Sequence, residues 1–376
     1  MVSSFVDFYT RNTRLVGAAV NNTDRELMES TAPLDALFPI TSYQSTELLL
    51  LKMQGNITVA SIVAPDQELP NDDGNFTLTE ELLGRTLIGK QHVFLDKEYE
   101  GLEKMRVYLA AGGAQGAAVV TAYEKYLYGL AADMPAAINA KHLILLMQVM
   151  TTGRCEYTDP LTELRVEMTY QDRVADLFPA ALTGTARWSQ PTTATGLTDL
   201  DNLSEEWRDI HGSKPTWMLA HYDDLRNLAN QAFTKQALGA MSGTQSDQNN
   251  SLYLAVSYDR NSLELAPGPL LELIQARTGV SRVLIVDAKY AETTKAGIKR
   301  TEYYLPEHYI CFGDEMGMYE RARVPFKENN FAPGIYVATK QLDDAPLRER
   351  LAGMSAGVPF VRDGRYLSAQ KIDGDA

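Results

Sequence analysis

The chain has 376 residues, 45% hydrophobic and 22% charged, an ordinary globular mix whose length suggests two or three domains. Its formal net charge of −14 argues against a subunit that grips nucleic acid by its phosphates, because such binding runs on neutralisation by Lys and Arg. An acidic protein can still surround nucleic acid without adhering to it.

The N-terminus, MVSSFVDFYTRNTRLVG, lacks the basic start and apolar run of a secretory leader. The longest apolar run, HLILLMQVM at 142–150, is far short of the ~20 residues that cross a bilayer. Cys155 and Cys311 lie in strand-like stretches and read as buried, reduced thiols packing as small apolar groups.

Residues 1–47, broken by NNTDRE and TAPLD, read as a polar, irregular arm. Leu48–Met53 and Ile57–Val63 then read as a hairpin with Gly55 in its connection. A polar excursion, APDQELPNDDGNFTLTEELLG, follows, and GRTLIGKQHVF returns as extended chain. A two-stranded ribbon is marginal in water, so this one must lean on something else.

From Leu95 to Thr152 the pattern is helical in three pieces: LDKEYEGLEKMRVYLAA, VVTAYEKYLYGLAA and PAAINAKHLILLMQVMTT. Pro135 opens the third, where a first turn tolerates it, and Gly153 stops it. The second half of that piece is apolar nearly all round, which predicts burial on several sides. GRCEYTDPLTELRVEMTY predicts a second hairpin, Arg154–Thr158 against a strand in which Leu164, Val166 and Met168 alternate with polar residues.

The breaker-rich SQPTTATG (189–196) reads as a domain boundary, and beyond it helix and strand alternate. LTDLDNLSEEWRDIHG is a helix capped by Thr198 or Asp199, with Leu200, Leu203 and Trp207 on its buried side. PTWMLAH is a strand, HYDDLRNLANQAFTKQAL more helix, GTQSDQNNS a loop, Gly268–Thr278 a helix, and SRVLIVDAKY and EHYICFGD strands. KYAETTKAGIKRTEYY is polar and reads as a loop, and MSAGVPFVRDGRYLSAQKI as a hairpin about Asp363-Gly364.

Three features raise the question of chemistry. AAGGAQGAA, with Gly112, Gly113 and Gly116, follows a helix rather than a strand, and its spacing fits no phosphate loop, so it reads as a break between helices. Asp287 ends a buried strand, where α/β enzymes place carboxylates, but no glycine turn into a helix follows. The histidines 92, 142, 211, 221 and 308 are scattered without zinc-ligand spacing; His221 with Asp223 and Asp224 reads as a helix N-terminus favoured by the helix dipole.

The order of these pieces resembles the lambda-type major capsid protein family of tailed phages (major capsid protein E) over roughly 36–376. ALFPITSYQSTELLLLKMQGN resembles that family's passage from arm to extended loop, and VAPDQELPNDDGNFTLTEELLGRTLIGKQHV its loop. LMQVMTTGRCEYTDPLTELRVEMTY resembles its helix–Thr-Gly–hairpin segment, ARWSQPTTATGLTDLDNL its tryptophan-containing domain entry, and DAKYAETTKAGIKRTEYYLPEHYICFGD its strand–loop–strand passage. The resemblance implies an α+β chain of the Hong Kong 97-type capsid fold. It divides the chain into an N-terminal arm (1–47), an extended loop (48–94), a peripheral domain with a spine helix (95–195 and 335–376) and an axial domain (196–334). The interruptions at Gly112-Gly113 and near Pro135 predict a shortened or kinked spine helix.

The implied function is a non-enzymatic shell subunit of a virion, assembled in the host cytoplasm, without cofactor, metal or membrane contact. Its partners are other copies of itself in hexamers and pentamers, with portal, scaffold and decoration proteins, around DNA that it does not read. Leu48, Leu50, Ile57, Val59, Leu145, Leu146, Trp188 and Trp207 are the expected inter-subunit residues. The competing readings are an encapsulin-like compartment shell and a cytosolic α/β enzyme using Asp287 and His221.

Overall fold

The computed structural model describes residues 4–12, 34–44, 48–55, 76–83, 86–111, 114–160, 163, 165–170, 174–242, 256–259, 262–293, 296, 298–317, 319–342 and 348–374. In chain order, α1 (Phe5–Arg11) and β1 (Ile40–Ser42) precede β2 (Leu48–Gly55), β3 (Phe76–Leu83) and β4 (Thr86–Val93). Helices α2 (Asp96–Ala111) and α3 (Ala114–Thr152) follow, then β5 (Arg154–Thr158) and β6 (Arg165–Thr169). Next come α4 (Gly196–His211), β7 (Trp217–Ala220), α5 (Tyr222–Asn230), α6 (Ala232–Ser242), α7 (Pro269–Thr278) and β8 (Arg282–Ile285). The remaining strands are β9 (Lys289–Thr293), β10 (Lys299–Tyr303), β11 (Tyr309–Gly313), β12 (Tyr319–Val324), β13 (Tyr336–Leu342), β14 (Arg348–Val361) and β15 (Ser368–Lys371).

Helix α3 runs unbroken for 39 residues, about 58 Å at 1.5 Å per residue. The expected interruption near Pro135 does not occur. An interior proline costs about 3 kcal/mol by removing an N–H and crowding the carbonyl one turn back. Ala131, Met134 and Ile138 are buried around it, and that packing holds the helix through the site. In its first half the buried stripe is Val120, Leu127, Ala131, Met134 and Ile138; in its second half Leu143–Met147, Val149 and Met150 are buried nearly all round, as the sequence predicts. Helix α2 folds back on the first half. A Cβ on Gly116 would come within 3.0 Å of the Tyr108 carbonyl oxygen, so this glycine serves close helix approach. Gly112 and Gly113 fall outside the described residues.

The five-stranded sheet is organised on β14. Strand β4 lines one edge, while β13 and then β12 line the other, and β1 adds parallel to β12. Helix α3 lies on this sheet with two glycines at the contact: a Cβ at Gly353 would sit 2.6 Å from Cβ of Met134, and one at Gly357 would overlap the His142 ring. Eight helical residues and four strand residues both span roughly 12–13 Å, so β14 tracks the helix axis.

The expected C-terminal hairpin does not form. The Asp363 carboxylate accepts from the Arg365 backbone N at 3.0 Å and caps a single 3₁₀ turn, Gly364–Tyr366. Val361 and Leu367 are buried on either side, and the chain crosses from one sheet to the other. Strand β15 joins the second sheet, ordered β15–β11–β7–β8. This sheet is buried on both faces, and its side chains alternate between two cores. Met218, Ala220, Val283, Ile285 and Phe312 face the core formed with α4–α7, whereas Trp217, Leu219, Leu284 and Cys311 face the core of the α3 layer. Two strands pair across the boundaries expected from the sequence: β12, from the 196–334 stretch, lies in the β14 sheet, and β15, from 335–376, in the second sheet.

The first residues are more ordered than an irregular arm. Helix α1 buries Phe5, Phe8 and Tyr9; Phe5 stacks on Phe94 at 3.8 Å between centroids, and Glu349 Oε2 accepts from Phe5 N at 2.7 Å. Further on, Leu34 and Phe38 are buried in the α3 core.

Strand β2 pairs with β3, from Leu48↔Leu83 to Gly55↔Phe76. This corrects the expected hairpin: Gly55 ends the ladder instead of turning it, and Ile57–Val63 lies outside the described residues. Strand β3 comes from the supposed polar excursion, where Glu80-Glu81 interrupts the alternation of Phe76, Leu78 and Leu82. The polar stretch read as a loop after Asp287 is also a hairpin, β9–β10, whereas β5–β6 pairs as expected.

Candidate inter-subunit surfaces

Of the eight residues expected at interfaces, four sit in the chain's own cores. Leu145, Leu146, Trp188 and Trp207 are each at most 1% exposed, so their side chains offer no surface to a neighbour. Leu145 and Leu146 lie in the half of α3 enclosed by the two sheets, which is why the run is apolar all round. Trp207 packs in the second core beside Leu200 and Leu203. Trp188 donates its indole N–H to Asp199 Oδ2 at 3.0 Å, and burial raises the Asp199 pKa against that bond. Asp199 therefore does not cap α4, and Thr198 lies inside the helix; Gly196 N instead donates to the buried Gln231 Oε1 at 2.8 Å. Leu48 and Leu50 lie on the ribbon strand β2, and Ile57 and Val59 lie outside the described residues.

The exposed apolar side chains point elsewhere. Leu95, Val107, Tyr108, Val119 and Tyr126 are each at least 40% exposed, and all lie at the start of α2, on α2, or on the first half of α3. Leu87 is exposed on β4, just after the ribbon. The other exposed large apolar residues described, Ile210, Phe233, Ile298, Phe331 and Tyr336, are spread over the rest of the chain, and exposed apolar surface marks an interaction face where it is contiguous. The sequence signal was weak: in the solvent-facing turns of α2 these residues alternate with Glu, Lys and Arg, and nothing in their spacing separates an exposed stripe from a buried one.

The structure does bring together the residues of the enzyme reading. His221 Nδ1 lies 3.3 Å from Asp287 Oδ1, which also accepts from Tyr222 N at 3.0 Å. Asp287 thus caps α5 from a strand end, and Asp223 and Asp224 fill the first turn. His221 Nε2 is 2.8 Å from the Leu305 carbonyl oxygen. Burial disfavours the imidazolium of His221, but the Asp287 hydrogen bond, the Asp224 charge and the Leu305 carbonyl outweigh it, so its pKa lies above the ordinary histidine value. Burial acts to raise the Asp287 pKa, and the His221 and Tyr222 bonds more than reverse it. Both ring nitrogens of His221 are occupied within the fold, and a general base needs one free to reach a substrate proton. The geometry is that of a strut joining α5, the β8 end and the loop before β11. The thiols are buried; burial pushes Cys155 up to about 12 and Cys311 further. Among the described residues no cluster of three or more His, Cys, Asp or Glu is placed to hold a metal ion, and no helix is long and apolar enough to cross a membrane.

No protein-family model and no curated protein matches the sequence. Among solved structures, the chain is similar to a protein of E. coli CFT073 assigned as a prophage capsid protein, at 16% identity and a TM-score of 0.58, covering 96% of this chain and 98% of that one. A phage-related protein of Bordetella bronchiseptica RB50 matches at 13% identity over 94% of this chain and 95% of that one, with a TM-score of 0.43. The mature capsid of bacteriophage PhiM1 matches at 12% identity over 90% and 85%, with a TM-score of 0.39. The chain has an α+β structure of the Hong Kong 97-type capsid fold.

Proposed function

We propose that this protein is a major capsid protein, the subunit that self-assembles into the icosahedral head of a tailed phage around double-stranded DNA. The observation that carries the reading is a capsid-type fold matched over 96% of the chain, with the β2–β3 ribbon paired to no third strand among the described residues. The exposed apolar side chains of α2 and α3 support it, because a shell subunit must bury such surface against neighbours. In this reading the ribbon, with Leu48 and Leu50, is the intermolecular element, and Ile57 and Val59 are expected at interfaces as well. The division into arm, extended loop, peripheral domain and axial domain follows the same proposal, with β12 and β15 exchanged between the two domains. The subunit belongs to the lambda type, resides in the virion, and works with portal, scaffold and decoration proteins. Its acidic surface lines DNA without holding it.

Negative-stain microscopy with size-exclusion chromatography of the protein expressed alone tests this. Closed shells, tubes or sheets are expected; monodisperse monomer across low and moderate salt would contradict it.

A further inference from the structure

The loop 325–335, PFKENNFAPGI, joins β12 to β13 and treats its two phenylalanines oppositely. Phe326 is 2% exposed, packs in the α3 core and bridges to Ala332. Phe331 is 65% exposed, more than any other large apolar side chain among the described residues. Its backbone is also unusual: Asn330 and Phe331 have φ of 52° and 58°, both in the left-handed region. Asparagine enters that region readily, but a bulky aromatic residue does so only under constraint. The constraint is a set of hydrogen bonds within the loop. Phe331 N donates to the Phe326 carbonyl at 3.0 Å, Ala332 N to the Asn329 carbonyl at 2.9 Å, and Asn329 Nδ2 to the Ala332 carbonyl at 3.0 Å.

Phe331 belongs to none of the three buried clusters, so the subunit strains its backbone to hold an apolar ring in water and gains no core from it. Strain of this kind persists where the surroundings over-determine it, and it concentrates at contact and switch sites. Charge says which partner the ring meets. The chain carries −14, so copies repel over most of their surface. The charged residues of 325–335 are Lys327 and Glu328, both exposed, and they sum to zero. A strongly charged partner of either sign gains nothing from such a pair. A second copy of the same loop does, because a contact about a two-fold axis pairs i with j and j with i, here Lys327 with Glu328 twice. One phenylalanine buries about 150–250 Å², against the roughly 1,200–2,000 Å² of a stable pairwise interface. The contact therefore adds to a lattice that other surfaces hold together.

We propose that Phe331 is a self-contact knob: in the assembled particle it packs against the same loop of a second copy, with Lys327 and Glu328 paired reciprocally beside it. The inference rests on the shell reading and adds a surface separate from the ribbon and from the α2 face.

Assembly of the full chain, followed by light scattering, tests it with two variants. Phe331→Asn removes the ring and puts at 331 a residue that accepts the left-handed backbone. Its urea midpoint as a free subunit should be no lower than the parent's, while the critical concentration for assembly should rise about tenfold or more. Ala332→Cys keeps the ring and places a thiol beside it. A short bismaleimide should link two chains of this variant through Cys at 332 in particles but not in unassembled subunits, and the parent should stay unlinked because Cys155 and Cys311 are buried. An unchanged critical concentration in Phe331→Asn, a lowered subunit midpoint, or particles without the 332–332 link overturns the knob and leaves the shell reading standing. A parent chain that assembles under no salt condition overturns both.

Discussion

The β2–β3 ribbon and the β4–β14 pair have ladders of the same length, eight residue pairs each. Their surroundings differ. Strand β14 has β13 and β12 on its other edge and α3 across its face, so its hydrogen bonds are enclosed by side chains from distant parts of the chain. The ribbon has no third strand among the described residues. Equal numbers of backbone bonds therefore do not give equal stability; enclosure decides, because an isolated two-stranded ribbon is marginal in water. In a shell subunit built this way, the enclosed region makes the chain fold, and the ribbon waits for a neighbour to enclose it.

Substitutions should separate the two regions by size of effect. Trp207→Ala empties a fully buried site and should cost about 3–5 kcal/mol in urea unfolding; Leu146→Ala should cost about 2–5 kcal/mol. Losses near zero at both positions would show that these side chains lie outside the cores. Gly357→Ala pushes a methyl group into the His142 ring and should cost about 1–3 kcal/mol, read as a lowered midpoint with unchanged slope.

His142 gives the enclosed region a pH signature. It is fully buried with neither ring nitrogen hydrogen-bonded, and burial, aided by the Arg323 and Arg321 charges, pushes its pKa down to about 3. Below about pH 6.5 the unfolded chain takes up a proton that the folded chain refuses, so stability falls as pH drops through that value and keeps falling toward pH 3. From pH 7.5 to pH 5 the loss from this residue should be about 2 kcal/mol, and His142→Gln should flatten that slope. An unchanged slope in the variant would assign the pH dependence elsewhere.

The ribbon should behave in the opposite way. Thr79→Pro with Glu80→Pro removes an inward N–H whichever of the two residues donates to β2. Global stability of the free subunit should stay within about 0.5 kcal/mol of the parent, while assembly is lost. A large loss of subunit stability would place the ribbon in the core. The smallest expected effect is electrostatic: with a net charge of −14, assembly yield should rise from very low salt to ~0.15 M, where screening shortens repulsion to about 8 Å.

The parts of the fold legible in sequence were those whose pattern reflects their own packing. The apolar second half of α3, the Leu200–Leu203–Trp207 face of α4 and the β5–β6 hairpin all read correctly because burial shows directly in residue spacing. Pro135 misled because tertiary packing overrides a local penalty. Asp363-Gly364 misled because a strong turn pair also suits a crossing between sheets, here anchored by Val361 and Leu367, both buried in the α3 core on either side of the turn. Four of the expected interface residues lie in the chain's own cores for a related reason: hydrophobicity marks burial without saying whether the cover comes from the same chain. Leu145, Leu146, Trp188 and Trp207 are covered from within, whereas Val107 and Val119, less conspicuous in sequence, are exposed.

Hydrogen exchange read by mass spectrometry, on the free subunit and on assembled particles, tests this division most directly. Helix α3 and strand β14 should be protected in both states, while β2 and β3 should exchange rapidly in the subunit and become protected on assembly. Equal protection of β2 and β3 in both states, or rapid exchange in both, would contradict the division into a self-sufficient core and a ribbon completed by its neighbours.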